Sequence, residues 1–306
     1  MTSLEQQKSS TNPFPINSLN KFAWLIRVPL NELQEVAAMA ETLYSPYWDR
    51  KKGKKPRLIH NPSDRLKIIQ KKINTWILQK YPFPSFIVGG IKGKSLEDHF
   101  NLHLRKDIVV TLDIKDCFPS ITNKHIYDAF RNKLGALADT AELATLLTAY
   151  KGLLPVGAPT SPLLANLILL PVLIEVKRLV NTHGFDLSQF IDDSAFSGKE
   201  LPAELVSEVC KMMSRSGFTI SHKKTCVMPK SGSQRVTKRI VNQKPGIPRK
   251  EMNRIRSAVN ELKKTPKNDP LYGKRLASVK GRVISIRKFY PQVAQRFLQE
   301  IGHITN

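Results

Sequence analysis

Three aspartates stand where a short strand and a tight turn would present them. Asp113 lies near the end of the β-branched run 107–114 (DIVVTLDI). Asp192 and Asp193 are adjacent at the tip of 185–198, whose two arms read as a hairpin. Carboxylates converging in this way repel one another unless a cation lies among them, so such a trio argues for a bound divalent metal. Hard Mg²⁺ takes carboxylate oxygens on rigid elements and leaves the rest of its shell to water and phosphate. Two ions about 3.5–4 Å apart serve phosphoryl transfer to a nucleotide, one activating the attacking oxygen and one bracing the leaving pyrophosphate. Alone, a double Asp in a hairpin is more often a turn, and an Asp ending a strand is weaker still. Order and company must decide.

The elements around these residues follow from periodicity. Residues 20–45 read as helical, with Asn31 as a cap before ELQEVAAMAETL. Lys51 to Lys55 around Gly53 read as a basic hairpin tip flanked by strand-like WDR and PRLIHNP. Residues 65–80 place apolar side chains at helical spacing beneath a cationic face. Helices are expected at 123–134 and 139–150, then a turn punctuated by Pro155, Gly157, Pro159 and Pro162, then the apolar helix 163–180. A helix at 202–215 precedes the strand-like FTIS of 218–221 and a KKT loop. Beyond about 250 the chain is basic and helical, broken by Pro266, Pro270, Gly273 and Pro291, with a natural boundary at 243–250.

Charge indicates the partner. The 306 residues carry 49 Lys plus Arg against 25 Asp plus Glu, a net +24, clustered at 50–57, 65–72, 222–239 and 249–256. Such clusters neutralise phosphates and release condensed counterions, the main sequence-independent source of nucleic-acid affinity. A solvated basic surface or an anionic membrane is the bland alternative, disfavoured because the clusters interleave with folded segments instead of forming one polybasic arm. No apolar run approaches the roughly 18 residues of a membrane span, and the start lacks a signal-peptide pattern. A cytoplasmic location and no membrane partner are expected. Cys117, Cys210 and Cys226 show no CxxC pairing and no histidines at zinc spacing, so no catalytic thiol is implied.

The motifs then match in order. LDIKDCFPSI (112–121) resembles motif A of reverse transcriptases, GLLPVGAPTSPLLANLIL (152–169) motif B, FIDD (190–193) motif C and GFTISHKKT (217–225) motif D. RLIHNPSDRLKIIQKKI (57–73) is similar to the family's fingers motif. The resemblance covers roughly residues 50–245 and implies an α+β right-hand polymerase fold. That fold would comprise an N-terminal helical extension (1–45), fingers (46–105, continued by part of 123–165), a palm (106–245) whose antiparallel sheet carries the carboxylates, and a helical thumb (246–306).

By position, the resemblance implies RNA-directed DNA polymerase chemistry. Asp113, Asp192 and the Ile114 carbonyl match the metal ligands, with Asp193 the third, looser carboxylate, holding two Mg²⁺ ions for which Mn²⁺ can substitute. Phe118 matches the steric gate that excludes a 2′-hydroxyl, although a Phe here also reads as core. Arg57, with Lys54 or Lys55, matches the cations that clamp the dNTP triphosphate, against the alternative of a solvated hairpin. Val156, Gly157 and Ala158 line the nucleotide pocket. Val156 departs from the usual Gln, which implies altered selectivity or fidelity. Lys224 matches the motif D lysine proposed to protonate pyrophosphate, and Lys223 stands beside it as the rival.

Finer features are similar to bacterial retron reverse transcriptases: the GKS segment at 93–95, His103 as the end of an N-A-x-x-H element, and Val236-Thr237-Lys238 for the triplet V-T-G. GRVISIRKFYP (281–291) resembles the retron thumb. This implies a cognate structured noncoding RNA, an RNA–DNA hybrid product in the form of branched RNA-linked DNA (msDNA), and a role in antiphage defence with a separate effector protein. His103, Arg235, Thr237, Lys238, Arg239, Arg249 and Lys250 are the expected RNA contacts. Local hydrogen bonding for His103 and a plain strand position for Thr237 weigh equally. A diversity-generating or group II intron-like enzyme, and a noncatalytic RNA–DNA scaffold restraining an effector, are the other readings.

Overall fold

The strand carrying Asp113 forms as β3 (Ile108–Asp113). The computed structural model describes residues 16–50 and 55–305. The polar start through residue 15 and most of the expected basic hairpin tip (51–54, with Lys54) lie outside the described residues. Beside β3 runs β5 (Asp193–Gly198), then β4 (Asp186–Phe190); on the other side lies β6 (Cys226–Pro229), giving an antiparallel sheet in the order β4-β5-β3-β6. The register sets Ile108 against Gly198 and Asp113 against Asp193.

Alternation along these strands makes two buried faces. Val110, Leu112, Leu187 and Phe196 enter the main hydrophobic core. Val109 and Ala195 join a smaller cluster with Phe100, Val236 and Val241. Asp113 and Asp193 end this second face, two residues beyond Thr111 and Ala195. The expected FTIS strand is corrected: Ile220 makes a single bridge to Ile114, and β6 supplies the edge. The chain turns immediately, with the Lys224 and Thr225 amides donating to the Ser221 carbonyl, so pairing lapses until Cys226.

The helical start divides. Helix α1 (Leu19–Ile26) is capped by Ser18, which accepts from the Lys21 amide, and ends where Arg27 turns left-handed. Helix α2 (Leu30–Ala38) takes Pro29 at the cap position, its fixed φ of −55° leading into the helix, so Asn31 lies inside the first turn and is not the cap. Next come a hairpin, β1 (Tyr44–Asp49) with β2 (Arg57–Pro62), and α3 (Asp64–Trp76). Helix α4 (Leu96–Asn101) starts with a capping box in which Asp98 accepts from the Ser95 amide at 2.7 Å. Helices α5 (Asn123–Asn132), α6 (Ala138–Thr148), α7 (Ser161–Thr182) and α8 (Leu205–Arg215) bury their apolar sides in the main core. α7 continues through Pro171, whose missing N–H a helix this thoroughly packed tolerates.

A short hairpin, β7 (Arg235–Val236) with β8 (Arg239–Ile240), leads to α9 (Arg249–Lys264), α10 (Tyr272–Ile286) and α11 (Pro291–Thr305). These three helices build a separate core around Ile255, Val259, Val283, Ile286 and Phe297. Gly273 falls in the first turn of α10 and does not break it. Among the described residues no helix is long and apolar enough to cross a membrane.

Candidate active site

The β4–β5 connection brings the acidic pair to Asp113. Ile191 and Asp192 form the turn, Ile191 with φ 61°, and Asp193 begins β5 directly opposite Asp113. The Ile114 amide donates to the Asp192 carbonyl at 3.0 Å, which ties the turn to β3. On the other side, Asp113 O accepts from the Ser221 amide and the Lys115 amide donates to Thr219 O. That bridge therefore runs past the Ile114 carbonyl without using it.

The turn is clamped from behind by residues that sequence reasoning missed. Gly89 lies so close that an added Cβ would stand 2.5 Å from the Ile191 nitrogen. Asn166 of α7 donates to the Gly89 carbonyl at 2.6 Å, and Gln189 donates to the Ile191 carbonyl at 2.6 Å. The Gly89-Gly90 pair and the Asn of motif B were the available signals, but their partner becomes visible only in three dimensions.

Electrostatics reflect the crowding. Burial raises the Asp192 carboxyl, and the Asp113 charge adds to it, while Arg57 and Lys224 pull the other way. Burial raises Asp193 to about 6, reinforced by Asp192 and Asp113 and opposed by Lys224 and Lys238. Lys224 Nζ donates to Asp113 Oδ1 at 2.7 Å, so of the two adjacent lysines this one reaches the cluster. Cys117 beneath them is pushed to about 12 by burial and by the two aspartates, consistent with an inert core thiol. Among the described residues no three His, Cys, Asp or Glu side chains form a ready-made metal cage. The donor set nevertheless suits a hard divalent cation: carboxylate oxygens on a rigid strand and turn, mutually repelling, with one already bound to an ammonium.

Of the expected nucleotide-side residues, Arg57 is the one within electrostatic reach of the carboxylates. Arg57, the exposed first residue of β2, acts electrostatically on Asp192; Lys55 is exposed just before it. Val156 is held by its backbone to that strand, its carbonyl accepting from the His60 amide at 2.7 Å and its amide donating to His60 Nδ1 at 3.3 Å. Gly157 has φ +114°, and Ala158 is buried. Phe118 is half-buried on the turn after β3, with its ring against the main core.

The expected RNA contacts divide. Thr237 and Lys238 form the left-handed turn of the β7–β8 hairpin (φ 42° and 69°), and Lys238 acts on Asp193. Arg235 is exposed, and Arg239 lies 5.2 Å over the Phe289 ring. Arg249 and Lys250 line a groove with Arg254 and Arg282 between α9 and α10. His103 is the correction. It is wholly buried behind β4 and β5, with Nδ1 2.7 Å from Ser197 Oγ and Nε2 2.8 Å from Ser188 Oγ, and both ring nitrogens are taken up inside the fold.

Comparison with known proteins places this geometry. The family model described as reverse transcriptase (RNA-dependent DNA polymerase) matches residues 50–238. The chain is 28% identical over 252 residues to the retron Ec86 reverse transcriptase of Escherichia coli, covering 81% of this chain and 78% of that one. It is 29% identical over 263 residues to the retron Mx65 reverse transcriptase of Myxococcus xanthus, covering 78% of this chain but 60% of the relative. Among solved structures, a foamy viral protease–reverse transcriptase in complex with RNA/DNA hybrid superposes with a TM-score of 0.50 at 15% identity, over 86% of this chain and 33% of that one. Telomerase from Candida albicans, in complex with a fragment of telomeric RNA, gives 0.50 at 8% identity over 86% and 59%. These two likenesses show a right-hand polymerase fold.

Proposed function

The chain belongs to the family of reverse transcriptases, RNA-directed DNA polymerases, and from that premise we propose that it is of retron type. It copies part of a cognate structured noncoding RNA into DNA that remains joined to RNA (msDNA), in antiphage defence alongside a separate effector protein. The observation that carries the catalytic part is the register of Asp113 against Asp193, with Asp192 in the adjoining turn and Arg57 within electrostatic reach. The identity of 28–29% to two retron enzymes over about four-fifths of the chain supports the finer part.

Asp113, Asp192 and the Ile114 carbonyl would hold two Mg²⁺ ions, with Asp193 contributing loosely. When bound, the ions would activate the primer hydroxyl and neutralise charge on the pyrophosphate. Arg57 and Lys55 bind the triphosphate. Phe118 closes the floor beneath the sugar and leaves no room for a 2′-hydroxyl. Gly157 and Ala158 let the backbone approach the nucleotide, and Lys224 holds the proton that pyrophosphate takes as it leaves. Arg249 and Lys250, with the β7–β8 hairpin, grip the hybrid through its backbone instead of reading bases.

The test is to express the chain with its neighbouring genomic DNA and purify the protein. Bound nucleic acid is then split between DNase and RNase before a denaturing gel, beside an Asp192→Ala, Asp193→Ala control. A short DNA joined to RNA, absent from the control, is the expected result. RNA without DNA in both samples would defeat the retron reading. Primer extension with Mg²⁺ and dNTPs then separates a scaffold from a polymerase of another class.

A further inference from the structure

Away from the carboxylates, α1 and the far end of α3 enclose a groove of about 850 Å³ that combines indole rings with cations. Trp24 is 69% exposed and Trp76 37%, an unusual outlay of tryptophan on a surface. Lys21 Nζ stands 4.2 Å over the Trp24 ring, and the Arg27 guanidinium 4.4 Å over the Trp76 ring. Lys80 adds a third cation, and no Asp or Glu is among the described residues lining the groove.

Arg27 is held there deliberately. It occupies the left-handed region (φ 54°, ψ 52°) at the end of α1, a position that normally goes to Gly or Asn. Its amide bonds back to the Ala23 and Trp24 carbonyls, and its own carbonyl accepts from Lys72 Nζ at 2.8 Å. Arg27 thus closes α1 as a left-handed cap while its guanidinium lies over the Trp76 ring, which fixes a cation and an indole side by side at the groove.

We propose that this groove binds unpaired RNA outside the polymerase cleft. Bases would stack on the indoles and the Arg27 plane, and phosphates would meet Lys21, Arg27 and Lys80. Rings beside cations without carboxylates suit a polyanion that carries flat apolar groups, which a nucleic-acid strand is and an acidic peptide is not. The choice of RNA over DNA rests on the polymerase reading, since an enzyme that copies RNA carries uncopied, unpaired RNA beyond its cleft. The site is separate from the cleft: β2 ends at the start of α3, and Trp76 lies about 18 Å further along that helix.

The experiment follows anisotropy of a fluorescein-labelled oligouridine on the full chain after the cleft has been saturated with unlabelled RNA–DNA hybrid. Oligouridine should still bind, and Trp24→Ala should weaken it about fivefold or more, as loss of one base–aromatic stack does. Trp24→Phe should retain most of the affinity, and Lys21→Glu with Lys80→Glu should flatten the salt dependence. Hybrid binding and primer extension should match wild type in all these variants. No binding to the saturated chain, or equal binding by Trp24→Ala, overturns the proposal. So does tighter binding of oligothymidine, or tryptophan quenching by phosphatidylserine vesicles or polyglutamate but not by oligouridine. Absence of hybrid binding and extension in the wild type would strike the polymerase reading instead and leave the oligouridine result legible.

Discussion

Lys224 Nζ and Asp113 Oδ1 meet at 2.7 Å, so the carboxylate opposite Asp193 carries a tethered counter-ion. The lysine side chain is 64% exposed and the aspartate 13%. A pair so open on one side contributes at most about 1 kcal/mol, and a divalent ion can displace the amine at little cost. In the proposed function the displaced amine would then be free to give its proton to the leaving pyrophosphate. Lys224→Leu is therefore expected to lower the rate of single-turnover incorporation about a hundredfold or more, with little change in dNTP affinity. An unchanged rate in rapid-quench measurements would remove Lys224 from the proton transfer.

Asp193→Asn should trade function for stability. Burial and two neighbouring carboxylates disfavour the Asp193 charge in the metal-free protein. Removing it is expected to stabilise the chain by about 1 kcal/mol in chelator while abolishing DNA synthesis. Thermal denaturation in EDTA, paired with primer extension in Mg²⁺, reads both effects. A lower melting temperature would mean that the carboxylate has a structural partner.

Gly157→Ala tests the seam between the β1–β2 hairpin and the turn at 156–158, which the proposed function sets against the nucleotide. A methyl there would meet Ile59 Cγ2 at 2.8 Å and the His60 carbonyl at 3.3 Å, on a backbone at φ +114°. The expected cost is about 1–3 kcal/mol, together with a raised KM for dNTPs as Val156 and His60 are pushed apart. Wild-type melting and KM together would contradict the close approach.

In the proposed function Phe118 floors the sugar site, and Phe118→Ala should open it. Ribonucleotide incorporation relative to deoxynucleotide should rise severalfold or more. The check is competition between rNTP and dNTP at one template position. An unchanged ratio would return Phe118 to the role of core residue, which its packing also permits.

The buried histidines make stability depend on pH. Burial lowers His99 to about 4 and His103 to about 3, the latter also through His99, so both are neutral in the fold. The unfolded chain, titrating near 6.5, binds protons that the native state refuses. Stability is therefore full above about pH 6.5 and falls as pH drops from there toward 4, by about 2 kcal/mol per histidine near pH 5. Urea unfolding at pH 7.5 and 5.0 measures the drop. In His103→Gln the difference between the two pH values should shrink by about that amount, whatever happens to stability at pH 7.5.

Much of the site could be read from the chain because its signals are local. A β-branched run ending in Asp113 and polar arms flanking Asp192-Asp193 specify strand and hairpin, and the register that joins them follows from pairing. His103 misled because a polar residue after a helix looks the same whether it faces a partner strand or a ligand. Its partners Ser188 and Ser197 are 85 and 94 residues away. FTIS misled because apolar alternation reports burial, and Ile220 is buried without belonging to a continuous ladder. The clamp of Gly89 and Asn166 left no periodic trace, since its content is a distance between backbones.

The three C-terminal helices close around apolar residues of their own, joined to the sheet domain through contacts such as Phe289 on Phe100 and Lys288 on Glu97. In the proposed function, gripping the duplex and making the bond would thereby fall to separate apolar cores. Gentle warming would loosen the grip first, and the enzyme would turn distributive before it turned inactive. Its products would shorten while each single addition still proceeded at full speed.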